Sequence, residues 1–469
     1  MSATYSRRAV TAGLATLPFA GALAARTASS APMPSNPLVR QRADAQVFRH
    51  SDGFYYLTGS VPEYDRLVLR RSRTLAGLAT APEAVLWRHL SSGPLSGFIW
   101  APELHLIDGR WIMYFAAGPS GGGEDVFRIR TYAVVCDGAD PMTGKWSLLG
   151  QLQTPWDTFN LDSTSFVHRG KRYLCWAQRE PGIETNSNLY LAPLATPLTL
   201  AAKPVRLSVP TLDWEIQGFK VNEAPALLER NGRLFMTYSA SATDSRYCLG
   251  LLTCDAGADI MAASSWTKSP VPVFTTSAET KVFGPGHNSF TVDEAGRDVM
   301  IYHGRDYDKI TGDPLFDPNR HTRVQRLYYG ADGTPDFGIP VGNGPVPDRL
   351  SPLGSPASYV ALVGDSLRIA RGPIAATQFR AMPGSGGTIA LQPITRPDVC
   401  VSAQPGAPLS LTVAGRASAF HRVAGLGGAG VSFRSAVHPA AYLRVVGDGL
   451  ALGPARTPAD RRAATFLLT

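Results

Sequence analysis

The chain has 469 residues, 44% of them hydrophobic, and Lys and Arg outnumber Asp and Glu by 45 to 37 for a net charge of +8. That length exceeds what one core organises, so two or more domains are expected, and the hydrophobic content is that of a folded globular protein. The basic residues are scattered, with pairs such as Arg70-Arg71 and Arg461-Arg462 but no basic run interleaved with aromatics, which argues against a nucleic-acid partner.

Ser6-Arg7-Arg8-Ala9-Val10 precedes a short apolar stretch, Thr11 to Ala24, that closes on small residues. The pattern resembles a twin-arginine export signal and falls short of the roughly 20 apolar residues a membrane span needs. Residues 1–31 are therefore set apart from the fold, and the mature protein is expected to be secreted or periplasmic, with no membrane attachment. The five cysteines are sparse and odd in number, so no disulfide framework is implied. Cys248 and Cys254 share one predicted strand, whose rise of about 3.3 Å per residue keeps them from bonding to each other.

Five segments then repeat one pattern, a short run, a turn with glycine and an aromatic or aliphatic run. They begin at Asp44 (DAQVFRHSDGFYYLTGS), Trp100 (WAPELHLIDGRWIMYFAAG), Leu161 (LDSTSFVHRGKRYLCWAQ), Glu223 (EAPALLERNGRLFMTYSA) and His287 (HNSFTVDEAGRDVMIYHG). Three of the turns are Asp-Gly or Asn-Gly, the strongest local hairpin signal. The spacing leaves room in each unit for two further strands, so the expectation is an all-β, five-bladed β-propeller over residues 37–345. A β-sandwich with accidental similarity is the alternative.

In a propeller the innermost strand of each blade lines the axis. Nine residues before the glycine stand Asp44, Trp100, Leu161, Glu223 and His287, with Asp162 one step on in the third blade. One at a time, each reads as a solvated acid, a packed indole or a structural histidine. In shared register they crowd three carboxylates into one funnel, a repulsive arrangement unless chemistry uses it. Glycoside hydrolysis does, with one carboxylic acid protonating the leaving oxygen and one carboxylate activating water or attacking the sugar. The residues alone reach a hydrolase or a sugar-binding propeller.

The phrases FIWAPELH, TPWDTFNLDSTSFVHRGKRYLCWAQ, WEIQGFKVNEAP, FGPGHNSF and DGTPDFGIPV resemble glycoside hydrolase family 43, and their combination is similar to its exo-acting α-1,5-L-arabinofuranosidases. The resemblance implies an inverting enzyme with Asp44 as general base, Glu223 as general acid and Asp162 orienting the acid and raising its pKa. It further implies Trp100 as the aromatic wall of the sugar site, Arg323 reaching a substrate hydroxyl, and His287 on the axis beside a central water or bound ion. No cofactor is required by it, and no local cluster has the spacing of metal ligands. One departure stands out: the family's Asp-Pro, commonly followed by His, is here Asp44-Ala45-Gln46.

Residues 346–356 read as a Pro/Gly/Ser-rich linker, and a weaker repeat follows. ATQFRAMPG, ASAFHRVAG and AATFLLT, around Phe379, Phe420 and Phe466, predict a threefold β-trefoil over residues 357–469. Its third unit resembles the arabinofuranose-binding module of carbohydrate-binding family 42, which implies His438 and Asp460 as sugar contacts. Ala463 stands where that family carries a second acid, so at most one working pocket is expected. The leading expectation is thus an exported, monomeric exo-α-L-arabinofuranosidase acting on plant cell-wall arabinan or arabinoxylan oligosaccharides. A β-xylosidase or endo-arabinanase of the same family, and a non-catalytic sugar-binding propeller, stay open.

Overall fold

In the computed structural model, which describes residues 34–120, 125–355 and 357–469, three of the five repeat hairpins turn on two residues that both take positive φ. These are Asp108-Gly109 (50° and 76°), Arg169-Gly170 (49° and 75°) and Asn231-Gly232 (54° and 72°), the geometry whose twist matches that of paired strands. The other two hairpins have longer loops, between Arg49 and Tyr55 and between Val292 and Asp298. The export-signal reading of residues 1–31 lies outside the described residues. Among those described, no helix is long and apolar enough to cross a membrane.

Each repeat folds into an antiparallel sheet whose strands follow chain order. The first blade runs Ala43–Arg49, Tyr55–Ser60, Arg66–Ser72 and Glu83–Arg88. Inner strands of the next four blades are Gly97–Ile107, Asn160–His168, Asn222–Arg230 and Phe283–Val292. Each inner strand packs against those of both neighbouring blades, so the five close a ring around one axis. The result is a five-bladed propeller, as the repeats predict. Its fifth blade supplies three strands of its own, and the N-terminal segment covers their outer edge. There Leu38 donates its N–H to the Thr322 carbonyl at 2.8 Å, and the buried Asn36 side chain exchanges hydrogen bonds with the Val324 backbone at 2.8 and 2.9 Å.

The register differs from expectation in one respect that bears on function. Every inner strand carries a β-bulge next to a residue with positive φ, and those residues are Asp44 (54°), Ala101 (45°), Asp162 (54°), Ala224 (50°) and His287 (45°). Asp162 is therefore level with Asp44 and His287, and it is Trp100 and Glu223 that stand one residue earlier. Counting back from the turn glycine fails because blades 1 and 5 have the longer loops, which displace their glycines by one position relative to the other three.

Six strands of the C-terminal region pair into a closed barrel: Asp348–Pro352, Gln378–Pro383, Ile389–Pro393, Phe420–Ala424, Val431–Ser435 and Phe466–Leu468. A hairpin intervenes after the first, third and fifth of them, at 359–370, 399–413 and 441–454. Phe379, Phe420 and Phe466, the repeated phenylalanines, meet in the barrel core with Leu350. The stretch 346–356 is thus no simple linker. Its prolines and glycines flank a strand whose Leu350 is buried in the core, and composition hides the single apolar residue that matters. The barrel abuts the propeller through an Arg326–Asp348 ion pair at 2.7 Å and a hydrogen bond from the Arg380 guanidinium to the Gly342 carbonyl at 2.9 Å. All five cysteines are free and buried.

Candidate active site

The bulges on the inner strands leave backbone N–H groups that the strand ladder does not use, and side chains from neighbouring strands take them up. Ala101 N–H donates to Ser60 Oγ at 2.8 Å, Ala224 N–H to Asp162 Oδ2 at 3.1 Å, His287 N–H to Ser239 Oγ at 2.8 Å and Asp44 N–H to His303 Nδ1 at 3.2 Å. Left-handed backbone of this kind costs free energy in non-glycine residues and persists where surrounding contacts hold it. Here those contacts join blade to blade, so the bulges both close the ring and fix its floor.

On that floor Asp44, Asp162 and His287 converge. His287 Nδ1 lies 3.3 Å from Asp44 Oδ1 and 3.9 Å from Asp162 Oδ2. Ser60 donates to Asp44 Oδ2 at 2.6 Å, and the Arg320 guanidinium meets Asp44 Oδ1 at 3.3 Å while reaching the Tyr64 hydroxyl at 2.9 Å. Glu223, one residue before its bulge, is less buried than either aspartate, and its Oε1 accepts a 2.8 Å hydrogen bond from the Tyr247 hydroxyl. Asp162, by binding the Ala224 N–H, holds the peptide that follows Glu223.

The three carboxyls are pushed in opposite directions. Burial favours the neutral form of Asp44, yet its neighbours, the Arg320 charge foremost, outweigh it and hold Asp44 well below the ordinary carboxylate range. Glu223 is raised to about 7, first by burial and then by the Asp44 charge, against the Tyr247 hydrogen bond. Asp162 is raised as well, by burial and by the charges of Glu223 and Asp44. His303 is depressed to about 3 by burial, so it is neutral at working pH. Near neutral pH the funnel thus sets an ionised Asp44 beside a Glu223 that is about half protonated.

Two expected residues stand differently. Arg323 does not face the funnel: it is fully buried, ion-paired with Asp306 and bonded to Asn343 Oδ1 at 3.0 Å. It lies within the strand His321–Arg326, whereas Arg320, at the end of the preceding loop, reaches Asp44 in the funnel. Trp100 packs edge to face against Tyr64 and Phe98, with centroids 5.4 and 5.1 Å away. It is largely buried, and its indole N–H has no partner among the described residues. The exposed ring beside this cluster is Phe316, 57% accessible and 6.2 Å from Tyr64. Phe316 rides on the 306–320 loop, which Arg305 secures through Asp317 at 3.0 Å and the Pro314 carbonyl at 2.7 Å. Sequence reasoning missed Arg320, Tyr64, Tyr247 and His303. A signal for Tyr247 lay in GPGHN, since a Cβ on Gly286 would come within 2.4 Å of the Tyr247 ring.

The departure Ala45-Gln46 has a structural use. The Gln46 amide spans to the second blade, accepting from Leu104 N–H at 2.7 Å and donating to the Leu104 carbonyl at 3.2 Å. Among the described residues no group of three or more His, Cys, Asp or Glu side chains is placed to hold a metal ion. His287 faces two carboxylates, Asp44 and Asp162, on its Nδ1 side. In the barrel His438 is exposed. Asp460 is committed elsewhere, to Arg444 at 2.5 Å and to a capping box with Thr457.

Comparison with known proteins agrees with this geometry. Residues 34–335 match the profile of glycosyl hydrolases family 43. An extracellular exo-α-(1→5)-L-arabinofuranosidase of Streptomyces avermitilis is 50% identical over 391 residues, 82% of this chain and 80% of the relative. An α-L-arabinofuranosidase 43 of Humicola insolens is 48% identical over 447 residues, covering 90% and 92% of the two chains. The crystal structure of an α-L-arabinofuranosidase from Lactobacillus brevis superimposes with a TM-score of 0.65 at 51% identity, over 66% of this chain and 98% of that one. A propeller that gathers Asp44, Asp162 and Glu223 on its axis, and matches of this extent, lead to one assignment: the chain is a glycoside hydrolase and belongs to glycosyl hydrolases family 43.

Proposed function

We propose that the protein is an exported, exo-acting α-L-arabinofuranosidase that releases arabinose from α-1,5-linked arabinan or arabino-oligosaccharides with inversion. The observation that carries the proposal is the opposed ionisation of Asp44 and Glu223 within one funnel. Glu223 gives its proton to the glycosidic oxygen as the C–O bond breaks. Asp44 takes a proton from the water that attacks the anomeric carbon from the opposite face. Asp162 supports the acid by holding the Ala224 N–H, the peptide that follows Glu223. Arg320 keeps the base ionised before each turnover. Names of similar proteins favour arabinofuranose over xylose, and extracellular relatives favour export.

For the C-terminal region we propose a β-trefoil of residues 346–469. Support comes from three successive units, each giving two strands to the barrel and one hairpin, with a phenylalanine at the same place in each core. Its resemblance to arabinofuranose-binding modules rests on His438, because Asp460 already serves Arg444 and Thr457.

The experiment is a product profile on linear arabinan, with proton NMR of the first sugar released. Arabinose alone from the outset, in the β-anomeric form, is expected. Early oligomers would point to an endo-arabinanase, and the α-anomer would exclude inversion. Glu223→Ala should abolish hydrolysis of a nitrophenyl arabinofuranoside. Undiminished hydrolysis by that variant would remove Glu223 from its role.

A further inference from the structure

The net charge of +8 is unevenly placed. Residues 346–469 contain twelve arginines, no lysine, five aspartates and no glutamate, a net +7, whereas residues 34–345 carry 30 basic and 32 acidic side chains. A halved charge distribution of this kind points to an anionic partner for the charged part. Three of these arginines are ion-paired within the region: Arg368 with Asp448, Arg396 with Asp365 and Asp398, and Arg444 with Asp460. Among the others, two are adjacent. Arg461 and Arg462 are exposed, and among the described residues neither guanidinium has an ion-pair or hydrogen-bond partner.

Both line a groove of about 480 Å³ whose remaining walls are Leu353, Leu426, Gly427 and Pro458. No carboxylate borders it. Guanidinium groups bind carboxylates through two parallel hydrogen bonds, a geometry that the point charge of lysine does not offer. The aliphatic walls suit the C–H face of a sugar ring.

We propose that this groove binds a uronate-bearing polysaccharide, the Arg461 and Arg462 guanidinium groups taking the sugar carboxylates while the aliphatic walls pack against the rings. His438, the contact expected for neutral arabinofuranose, does not line it. The groove would hold the enzyme on acidic chains while the propeller trims neutral side branches. A nucleic acid fits the charge but not the walls, since no aromatic side chain lines the groove for bases to stack on.

The test is affinity electrophoresis of the full-length protein in gels containing polygalacturonate, linear arabinan or duplex DNA. Retardation by polygalacturonate that weakens with added salt is expected. Arg461→Ala/Arg462→Ala should raise the apparent Kd about tenfold or more, in line with the loss of two charge-assisted contacts, and leave nitrophenyl arabinofuranoside hydrolysis unchanged. Arg371→Ala/Arg416→Ala removes the same charge from exposed arginines outside the groove and should bind as wild type does. The proposal fails if the wild-type protein is not retarded, if both double variants weaken equally, or if DNA retards the protein as strongly as polygalacturonate.

Discussion

Tyr247 and His303 stack face to face, with ring centroids 5.6 Å apart and planes 7° from parallel, and each holds a different acidic residue of the funnel, Glu223 by its carboxyl and Asp44 by its backbone. Tyr247 donates to Glu223 and His303 accepts from the Asp44 N–H. The stack is a rigid spacer between the two acids, and movement of either ring would be felt at both.

Tyr247→Phe tests the acid's end of that spacer. The lost hydrogen bond favours ionised Glu223, so its removal pushes the Glu223 pKa further up. Because the acid must be protonated, the alkaline limb of the kcat/KM profile should move to higher pH, with kcat falling about tenfold from lost orientation. An unmoved alkaline limb would show that Tyr247 does not act on Glu223.

Arg320→Ala addresses the base. Without the cation that most strongly opposes burial, the Asp44 pKa rises and the acid limb of the profile moves to higher pH. Activity should fall about 10²-fold, within the usual range for a disabled general base. Arg323→Ala is the matched comparison: it removes a fully buried guanidinium and its pairing with the partly exposed Asp306, which should cost about 1–3 kcal/mol of stability and leave both limbs where they were. Thermal melts beside pH profiles separate the two outcomes.

Glu223 should also weigh on stability. Its folded pKa, about 7, lies above the ordinary value of 4.5, so the folded state binds more protons than the unfolded chain between those values. Stability contributed by the group therefore declines as pH rises from about 4.5 to 7. Glu223→Gln removes the ionisation and should be more stable than wild type above pH 7, by on the order of 1–3 kcal/mol, with the gain vanishing near pH 4. Denaturant melts at both pH values check the sign.

Gln46→Ala cuts the bridge to Leu104. Two backbone groups between blades 1 and 2 lose their partner, at a cost of about 1–3 kcal/mol. Nitrophenyl arabinofuranoside hydrolysis should change little, since Asp44 keeps Ser60, His303 and Arg320 around it. A large loss of activity with unchanged stability would move Gln46 from framework to chemistry.

The propeller was legible because Asp108-Gly109 and Asn231-Gly232 impose a hairpin by their own backbone preferences, and the aromatic runs after them repeat. Local chemistry of that kind survives without an alignment. The register was not, because longer loops in two blades shift their glycines without shifting the bulges. Arg320 escaped notice for a related reason. It sits where a loop becomes a strand, and no periodicity says which of Arg320 and Arg323 faces the axis. In the C-terminal region the repeated phenylalanines were visible, whereas the strand Asp348–Pro352 was masked by the prolines around it.

The seam between Leu38 and Thr322 makes the order of synthesis matter. Asp44 and His303, 259 residues apart in sequence, meet only across the two blades which that seam joins. A ribosome-bound chain that ends before the fifth blade can form four hairpins and still own no assembled base. Activity waits on ring closure, so recovery of hydrolysis during refolding reports the closing of this long-range contact.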